Sequence, residues 1–202
     1  GLHVLLVTKD RLEAGSTWWA QGGIAAALDP EDTPEEHLVD TLAAGGGLCD
    51  EDAVRTLVSE APDAIRSLIA LGASFDAGDG GDIALTMEGG HSHRRIVHAG
   101  GDQSGAEVQR TLDQAALAAG VEVLEYGFAL DLITGRNHEG RRQAGGVRIG
   151  KLDEYGAVES VGIVRARAVV LATGGYGQVF ASTSNPPAVT GDGLALALRA
   201  GL

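Results

Sequence analysis

Apolar and polar residues along the chain change between strand-like and helix-like patterns. The first apolar run, His3–Val7, is short and followed by polar residues, which is typical of a parallel strand covered on both faces. Five later runs also predict strands: Val121–Glu125, Phe128–Ile133, Gly146–Ile149, Val158–Val164 and Ala168–Ala172. Between them, the polar stretch 135–143 predicts a hairpin loop and 153–156 predicts a tight turn.

Two helices are predicted in the first half of the chain. Thr33-Pro34-Glu35-Glu36 combines a capping residue, proline at the first helical position and a glutamate three residues after the cap, so a helix is expected over 34–44. Helical spacing of apolar residues also runs from 50 to 71. Pro62 lies inside that run and predicts a break or kink, because proline has no N–H to donate.

Two further helices complete the pattern. Ser104 and Glu107 repeat the capping-box spacing ahead of a helix that ends at Gly120. Asp192 can cap a short helix over 193–200. Together with the strands, these elements predict an α/β fold with an antiparallel β insertion.

Composition narrows the classes of function. A chain of 202 residues that is 44% hydrophobic can bury a core, and its apolar runs are far shorter than the roughly 20 residues that span a bilayer. The formal net charge of −13 gives no basic field for nucleic-acid phosphates. The single cysteine, Cys49, cannot form an internal disulfide, which favours a reducing compartment. We therefore expect no nucleic-acid partner, no membrane partner and a cytoplasmic location.

The two ends of the sequence predict an internal part of a longer protein. The only methionine is Met87, and the chain begins directly in a strand-like run. It stops at 200–202, directly after a helical pattern.

Three glycine-containing segments have the composition of ligand-binding loops. Gly15–Gly23 combines small hydroxyl residues with paired glycines, whose backbone N–H groups can approach phosphate or carbonyl oxygens closely. Ala172–Gly177 follows the predicted strand 168–171, at the kind of strand end where doubly wound sheets bind ligands. Thr190–Gly193 precedes the last helix. Ordinary structural readings stay open for each: glycine turns, and a helix cap for Asp192.

A fourth segment, Thr86–His98, is rich in histidine, arginine and glycine. Its three histidines fit no helical i, i+4 pair and are interleaved with no carboxylate or thiolate, so we expect no metal. Arg94 and Arg95 can be surface or helix-end charges. With Glu88 they can also form a charged wall for a zwitterionic or anionic substrate.

In their order along the chain, these segments resemble the flavoprotein subunits of the succinate dehydrogenase and fumarate reductase superfamily, and within it the L-aspartate oxidase family. The likeness is most specific at Gly15–Gly23, Glu88–Ile96, Ala172–Gly175 and Gly191–Gly193. It implies a Rossmann-like FAD-binding domain that is partial over residues 1–202 and lacks its first βα unit. The family's GxGxxG unit would precede these residues, which reach only the start of the capping region. The remainder of the C-terminal capping and helical domains would follow.

The resemblance also assigns FAD contacts. Lys9 would contact the adenosine side of FAD, and Asp192 would contact the polar chain of the flavin. Many relatives carry FAD covalently on a histidine about where Ser16 stands, so FAD is expected to be non-covalent. By the same resemblance, the segment Ser16–Gly23 would line the flavin and its diphosphate. The implied cofactor residues are Ser16, Thr17, Trp18, Trp19, Ala20, Gln21, Gly22 and Gly23 in this segment, and Thr173, Gly174 and Gly175.

Glu88 stands where many succinate and fumarate enzymes have phenylalanine before the paired glycines. A buried carboxylate needs a cation, which would be Arg94, Arg95 or the α-ammonium group of a substrate. In the L-aspartate oxidase family the matching glutamate orients the substrate amine. The resemblance therefore implies oxidation of L-aspartate to iminoaspartate, with oxygen or fumarate as acceptor, in the route through quinolinate to NAD. Quinolinate synthase is a candidate partner.

Two alternatives stay open. One is a soluble fumarate reductase or succinate dehydrogenase flavoprotein. The other is an inactive remnant that binds no flavin, and we expect the 202 residues alone to be inactive.

Overall fold

The computed structural model describes all residues, Gly1–Leu202. They form two compact units: the first contains Gly1–Ser16 and Ala116–Leu202, and the second contains Thr17–Ala115. No helix has both the length and the apolar character needed to cross a membrane. The helices are α1 (Pro34–Ala44), α2 (Glu51–Ala70), α3 (Ser104–Ala118) and α4 (Asp192–Ala200). The strands are β1 (Leu5–Val7), β2 (Ile24–Ala25), β3 (Leu85–Thr86), β4 (Ile96–Val97), β5 (Glu122–Leu124), β6 (Gly127–Arg136), β7 (Arg142–Leu152) and β8 (Val158–Arg165).

In the second unit, α1 spans the predicted residues 34–44, and α2 begins at Glu51, one residue after the start of the predicted run 50–71. The Thr33 hydroxyl accepts a hydrogen bond from the Glu36 N–H (3.2 Å), and the Asp50 carboxylate accepts one from the Ala53 N–H (3.0 Å). The predicted break at Pro62 is wrong, because α2 continues through it to Ala70. Val58, Pro62 and Ile65 form its buried face, so burial of this apolar face offsets the hydrogen bond that proline cannot make.

The predicted capping box at the start of α3 is also wrong. The Ser104 hydroxyl accepts from the Ala99 N–H (3.2 Å), and the Glu107 carboxylate accepts from the Ser74 N–H (2.6 Å). Arg110 holds the pKa of Glu107 below its usual value, and burial opposes this shift. Both side chains therefore connect α3 to other segments instead of to each other.

A small antiparallel sheet, also in the second unit, has the order β2-β4-β3. Each of its strands has two residues, and Ile96 and Val97 of β4 are buried. Strands this short leave no periodic pattern in the sequence, so they were not predicted. The sheet positions the connection 87–95, which carries Glu88 between β3 and β4.

In the first unit, β1 pairs with β5 in parallel, which confirms the predicted parallel strand; the sequence did not identify the partner. The expectation that β1 is covered on both faces is wrong for the described residues, since Leu6 is 39% exposed. The predicted strand 168–172 is wrong as well, because no strand of the chain pairs with it and Val170 is 88% exposed. An apolar run becomes a strand only where a neighbouring backbone accepts its hydrogen bonds.

The antiparallel insertion is confirmed as the sheet β6-β7-β8 in the first unit. Because β6 and β7 extend further than predicted, the hairpin loop shortens to 137–141. The predicted turn at 153–156 is confirmed: Asp153 Oδ1 accepts from the N–H groups of Tyr155 (2.9 Å) and Ala157 (2.8 Å).

Candidate functional site

Lys9, Thr190 and Asp192 form a polar cluster in the first unit. Lys9 Nζ donates to Thr190 Oγ1 and to Asp192 Oδ2 (2.6 Å), and the Thr190 hydroxyl donates to the same carboxylate oxygen (2.6 Å). Burial acts to raise the pKa of Asp192, but the hydrogen bonds from Lys9 and Thr190 outweigh it and hold the pKa below its usual value. The structure thus joins two of the predicted cofactor residues, which lie 183 positions apart in sequence.

The interpretation of Asp192 as a helix cap is wrong. Asp192 is the first residue of α4, and the residue before it, Gly191, has a left-handed backbone with φ of 78°. No side chain caps this helix. The Asp192 carboxylate is instead directed to Lys9 and Thr190, so its role is in the polar cluster.

The segment Thr173–Gly175 lies against the first turn of α4. The Gly175 carbonyl accepts from the Gly191 N–H (3.2 Å), and a Cβ at Gly193 would overlap the Thr173 hydroxyl. A Cβ at Gly174, where φ is +66°, would meet nothing within 4 Å. The structure therefore brings all of the predicted residues of this unit except Ser16 to the start of α4. Hydroxyl, ammonium, carboxylate and backbone N–H groups together suit a ligand with a chain of hydroxyls and phosphates.

The glycine-rich segment reaches from Ser16, in the first unit, to Gly23 in the second. Residues Ser16–Trp19 form a short 3₁₀ turn, and the Trp18 and Trp19 side chains are 41% and 65% exposed. The Ala20 carbonyl accepts from the Gly105 N–H (3.0 Å), at the start of α3. A Cβ at Gly105 would lie 2.6 Å from that carbonyl oxygen, so this close backbone approach requires glycine.

The same segment leaves Gly22 open while Gly23 is tightly packed. A Cβ at Gly22 would meet nothing within 4 Å, whereas one at Gly23 would overlap the Ile96 side chain and lie 2.8 Å from His98 Cε1. Contacts with other residues of the second unit thus hold the segment at Ala20 and Gly23. Gly22, Trp18 and Trp19 stay accessible to a ligand. This arrangement suits a ligand with a flat ring system. The exposed tryptophan rings offer stacking surfaces, and the unobstructed backbone of Gly22 allows the ligand to approach to hydrogen-bond distance. The Gln21 side chain is exposed.

Glu88 lies in the connection between β3 and β4, and its environment differs from the prediction. Its side chain is 52% exposed, so the expected buried carboxylate is wrong. Neither Arg94 nor Arg95 pairs with it; its partner is His98, with 3.3 Å between Oε1 and Nε2. The carboxylate is therefore accessible to a ligand.

Arg95 is unavailable to Glu88 because it is buried in another network. Its guanidinium makes two hydrogen bonds to Asp32, at 2.8 and 2.7 Å, and one to Asp40 at 2.8 Å. Asp40 also accepts from the backbone (2.8 Å) and the hydroxyl (2.7 Å) of Ser92. Burial acts to raise the pKa of Asp40, and the bonds from Ser92 and Arg95 outweigh it, so the pKa is lowered. This network connects the Glu88 loop to α1.

Asp32, Glu36 and His93 place three possible metal-ligand atoms within 4.8 Å of one another. The sequence prediction considered only carboxylates and thiolates interleaved with the histidines, whereas Asp32 lies just before α1 and Glu36 lies in its first turn. Both Asp32 oxygens already accept from Arg95, which supplies the positive charge at this position. We assign no metal to this cluster.

His98 is a site residue that the prediction missed. Its Nδ1 lies 2.9 Å from the Gly101 carbonyl oxygen, and its Nε2 lies 3.0 Å from the Thr86 hydroxyl. The ring borders a cavity of about 300 Å³ lined by Asp76, Ala84, Thr86, His98 and Gly101. Pairing of β3 with β4 creates this arrangement, and two-residue strands leave no signal in the sequence that could reveal it.

The family model described as FAD binding domain matches residues 1–202. The chain belongs to this family. Similar curated proteins include L-aspartate oxidases from Streptomyces coelicolor (59% identical, covering 100% of this chain and 34% of that protein) and Nostoc sp. (46%, covering 99% and 33%). The chloroplastic L-aspartate oxidase of Arabidopsis thaliana is 42% identical, with 98% and 30% covered. The chain spans about a third of the length of these relatives.

Solved structures of related flavoproteins share the fold. The Mycobacterium smegmatis Sdh1 complex superposes with a TM-score of 0.85 at 32% identity, covering 99% of this chain and 35% of that one. E. coli quinol fumarate reductase gives a TM-score of 0.86 at 29% identity, covering 98% and 32%. The predicted α/β fold with an antiparallel insertion and the predicted FAD cofactor are confirmed by these matches. The individual cofactor contacts stay predictions.

Proposed function

We propose that the protein carrying this chain is an FAD-dependent oxidoreductase that oxidises L-aspartate to iminoaspartate, with oxygen or fumarate as electron acceptor. This reaction serves pyridine nucleotide biosynthesis, through quinolinate to NAD. The observation that carries the proposal lies within the second unit: Gly23 of the predicted flavin segment packs on His98, and His98 contacts the half-exposed Glu88. The relatives named L-aspartate oxidase, at up to 59% identity, support the same reading.

Each assigned residue has a defined task in this proposal. Glu88 binds the α-ammonium group of aspartate, because its carboxylate is accessible and no arginine neutralises it. Lys9, Thr190 and Asp192 bind the polar chain of the cofactor. Bound FAD supplies the two-electron acceptor, and the chain supplies orientation and charge. Ser16 replaces the histidine of covalent flavoproteins, so we propose non-covalent binding.

The larger context of the chain is also proposed. Residues 1–202 form part of a Rossmann-like FAD-binding domain, completed by a GxGxxG unit before them and by capping and helical domains after them. The 202 residues alone are then inactive. We propose the cytoplasm as the compartment, on the ground of the single cysteine, and quinolinate synthase as a partner, since iminoaspartate is its substrate in the implied route.

A succinate dehydrogenase or fumarate reductase flavoprotein is the second candidate, favoured by TM-scores of 0.85 and 0.86. Glu88 distinguishes the two, because succinate carries no ammonium group for it to bind.

The test is anaerobic mixing of the complete FAD-loaded protein with L-aspartate and, separately, with succinate. We expect loss of the oxidised flavin absorbance with aspartate alone. Bleaching by succinate alone would assign the protein to the second candidate, and a protein that retains no flavin would support the inactive remnant.

A further inference from the structure

The antiparallel sheet β6-β7-β8 of the first unit contacts helix α4 at a β-bulge. Strand β6 pairs with β7 through Ala129 and Asp131 but skips Leu130, whose backbone is left out of the ladder. A bulge redirects the groups at its position away from the regular sheet pattern. Here the Leu130 carbonyl and the Asp131 carboxylate both accept from the guanidinium of Arg199, in the last turn of α4. The bulge thus offers two acceptors to one planar donor group.

We propose that Asp131 is a positioning residue of the cofactor site, which acts by holding Arg199 and thereby α4. The inference rests on the proposed function, in which Lys9, Thr190 and Asp192 bind the polar chain of FAD. It gives a task to the sheet β6-β7-β8, whose strands contain none of the predicted cofactor residues.

Helix α4 connects the bulge to the cofactor residues. It has nine residues, and Arg199 follows Asp192 by seven positions, which corresponds to about two helical turns or 10 Å. A short, continuous helix is a rigid element, so the position of its last turn determines the position of its first turn. The bonds of Arg199 to β6 therefore determine where the Asp192 carboxylate lies.

The first turn of α4 leaves little room for movement. The Asp192 carboxylate lies 2.6 Å from Lys9 Nζ, and a Cβ at Gly193 would overlap the Thr173 hydroxyl. The buried face of the helix consists of Gly193, Leu196 and Ala200, and among these only Leu196 has a large side chain. The bonds of Arg199 add a contact of fixed geometry to this small apolar one.

Asp131 binds two arginines, and only one of them belongs to α4. Arg199 Nε donates to Oδ1 (2.8 Å), and Arg148 on β7 donates to Oδ2. The bond from Arg199 is the main cause that holds the pKa of Asp131 below its usual value. The two arginines are equally exposed, at 54% and 52%. They therefore form a matched pair for a test, because only Arg199 connects Asp131 to the helix.

The test measures the dissociation constant of FAD from the flavin fluorescence that appears when the complete FAD-loaded protein is diluted. An exposed ion pair corresponds to a factor of up to about five in an equilibrium constant. We expect Asp131→Asn and Arg199→Met each to raise the dissociation constant by about two- to fivefold on this scale. Arg148→Met is the matched control and should keep the value of the wild type.

Arg199→Lys separates the position of the helix from the charge of the side chain. The charge of Arg199 also helps to lower the pKa of Asp192, and lysine retains this charge. Lysine lacks the planar fork that reaches the Leu130 carbonyl and the Asp131 carboxylate together. We therefore expect Arg199→Lys to weaken FAD binding about as much as Arg199→Met. A lysine variant with the affinity of the wild type would show that charge alone acts, and would overturn the inference.

Combination of Arg199→Met with Lys9→Met gives a readout that a purely structural role would not move. The effects of independent sites multiply in the dissociation constant. If Arg199 acts by placing Asp192 at Lys9, its replacement should have little further effect once Lys9 is absent. The double variant should then bind FAD about as weakly as Lys9→Met alone.

The outcomes separate this inference from the proposals it rests on. If Lys9→Met keeps the affinity of the wild type, the proposed cofactor contact is wrong and the inference fails with it. If Lys9→Met weakens FAD binding but Arg199→Met does not, or if their effects multiply, the inference alone is wrong. An equal loss in Arg148→Met would also overturn it, because it would indicate a general change of the sheet. Should Arg199→Met not fold, Asp131→Asn and Arg199→Lys decide the matter. Turnover of aspartate does not enter these comparisons, so a wrong substrate assignment would leave them unchanged.

Discussion

Glu88 differs from Asp32 and Asp40, the two carboxylates that bind Arg95, because its side chain has a single partner at a long distance. Asp32 and Asp40 are neutralised by the buried guanidinium of Arg95, whereas Glu88 contacts only His98, at 3.3 Å. A half-exposed carboxylate with one long contact needs little rearrangement to accept a ligand. Because Arg95 is already bound to Asp32 and Asp40, an ion pair with arginine does not explain why a glutamate stands at position 88.

Replacement of Glu88 by phenylalanine should remove aspartate turnover and leave FAD bound. A site built to bind a polar group rejects an analogue that lacks the match by about 10⁴, and we expect a loss of that order in kcat/KM. Flavin content should stay near that of the wild type because the Glu88 side chain is 52% exposed. Steady-state kinetics and the flavin-to-protein absorbance ratio measure the two effects.

Met87→Phe is the matched control for this prediction. It places the same ring one position away, on a side chain that is 56% exposed, and retains the carboxylate. Unchanged aspartate kinetics in Glu88→Phe would contradict the assigned role. An equal loss in both variants would attribute the effect to the added ring.

At the scale of elements, prediction succeeded where the signal is local. Thr33 caps α1 as predicted, because its partner, the Glu36 N–H, lies three residues away. Prediction failed where a distant segment decides. Residues 168–172 form no strand without a pairing neighbour, and Ser104 binds the loop before α3 instead of Glu107. His98 was missed for the same reason: its contact with Thr86 forms only when β3 pairs with β4.

Helix α1 carries a buried histidine whose titration should affect stability. His37 is 6% exposed, its Nδ1 has no partner, and its ring centroid lies 5.7 Å from that of His91. Burial, and then the charge of Arg95, lower the pKa of His37 from 6.5. Below that value the unfolded chain binds more protons than the folded one, so the free energy of unfolding should decrease as the pH falls below about 6.5.

His37→Leu should flatten this dependence, by up to about 1.4 kcal/mol per pH unit for one proton. Urea unfolding of the complete protein at several pH values between about 5 and 7.5 measures the slope. His138→Leu, on a side chain that is 90% exposed, should retain the slope of the wild type. Identical slopes in all three proteins would show that His37 does not contribute.

At the scale of the whole molecule, the first unit is built from two segments far apart in sequence. Gly1–Ser16 and Ala116–Leu202 meet through the pairing of β1 with β5 and through the contact of Lys9 with Asp192. Further bonds between the two segments run from the Thr8 N–H to the Leu124 carbonyl (3.0 Å) and from the Leu12 N–H to the Glu125 carboxylate (2.8 Å), so the ion pair is one of several connections. Lys9 and Asp192, which we propose to bind the polar chain of FAD, thus also contribute to the connection between these segments.

Lys9→Met should make FAD retention more sensitive to acid. In the wild type the pKa of Asp192 is held below 3.8, so its contribution is present above that pH and is lost as the pH falls through the lowered value. Without Lys9, only the Thr190 hydrogen bond and the charge of Arg199 oppose the effect of burial, so the pKa of Asp192 rises and the contribution is lost at higher pH. Release of flavin fluorescence during acid titration should therefore have a higher midpoint in the variant. Lys151→Met is the control, since Lys151 donates to the Glu125 carbonyl (2.7 Å) and pairs with no carboxylate. Equal midpoints for Lys9→Met and the wild type would separate the ion pair from cofactor binding.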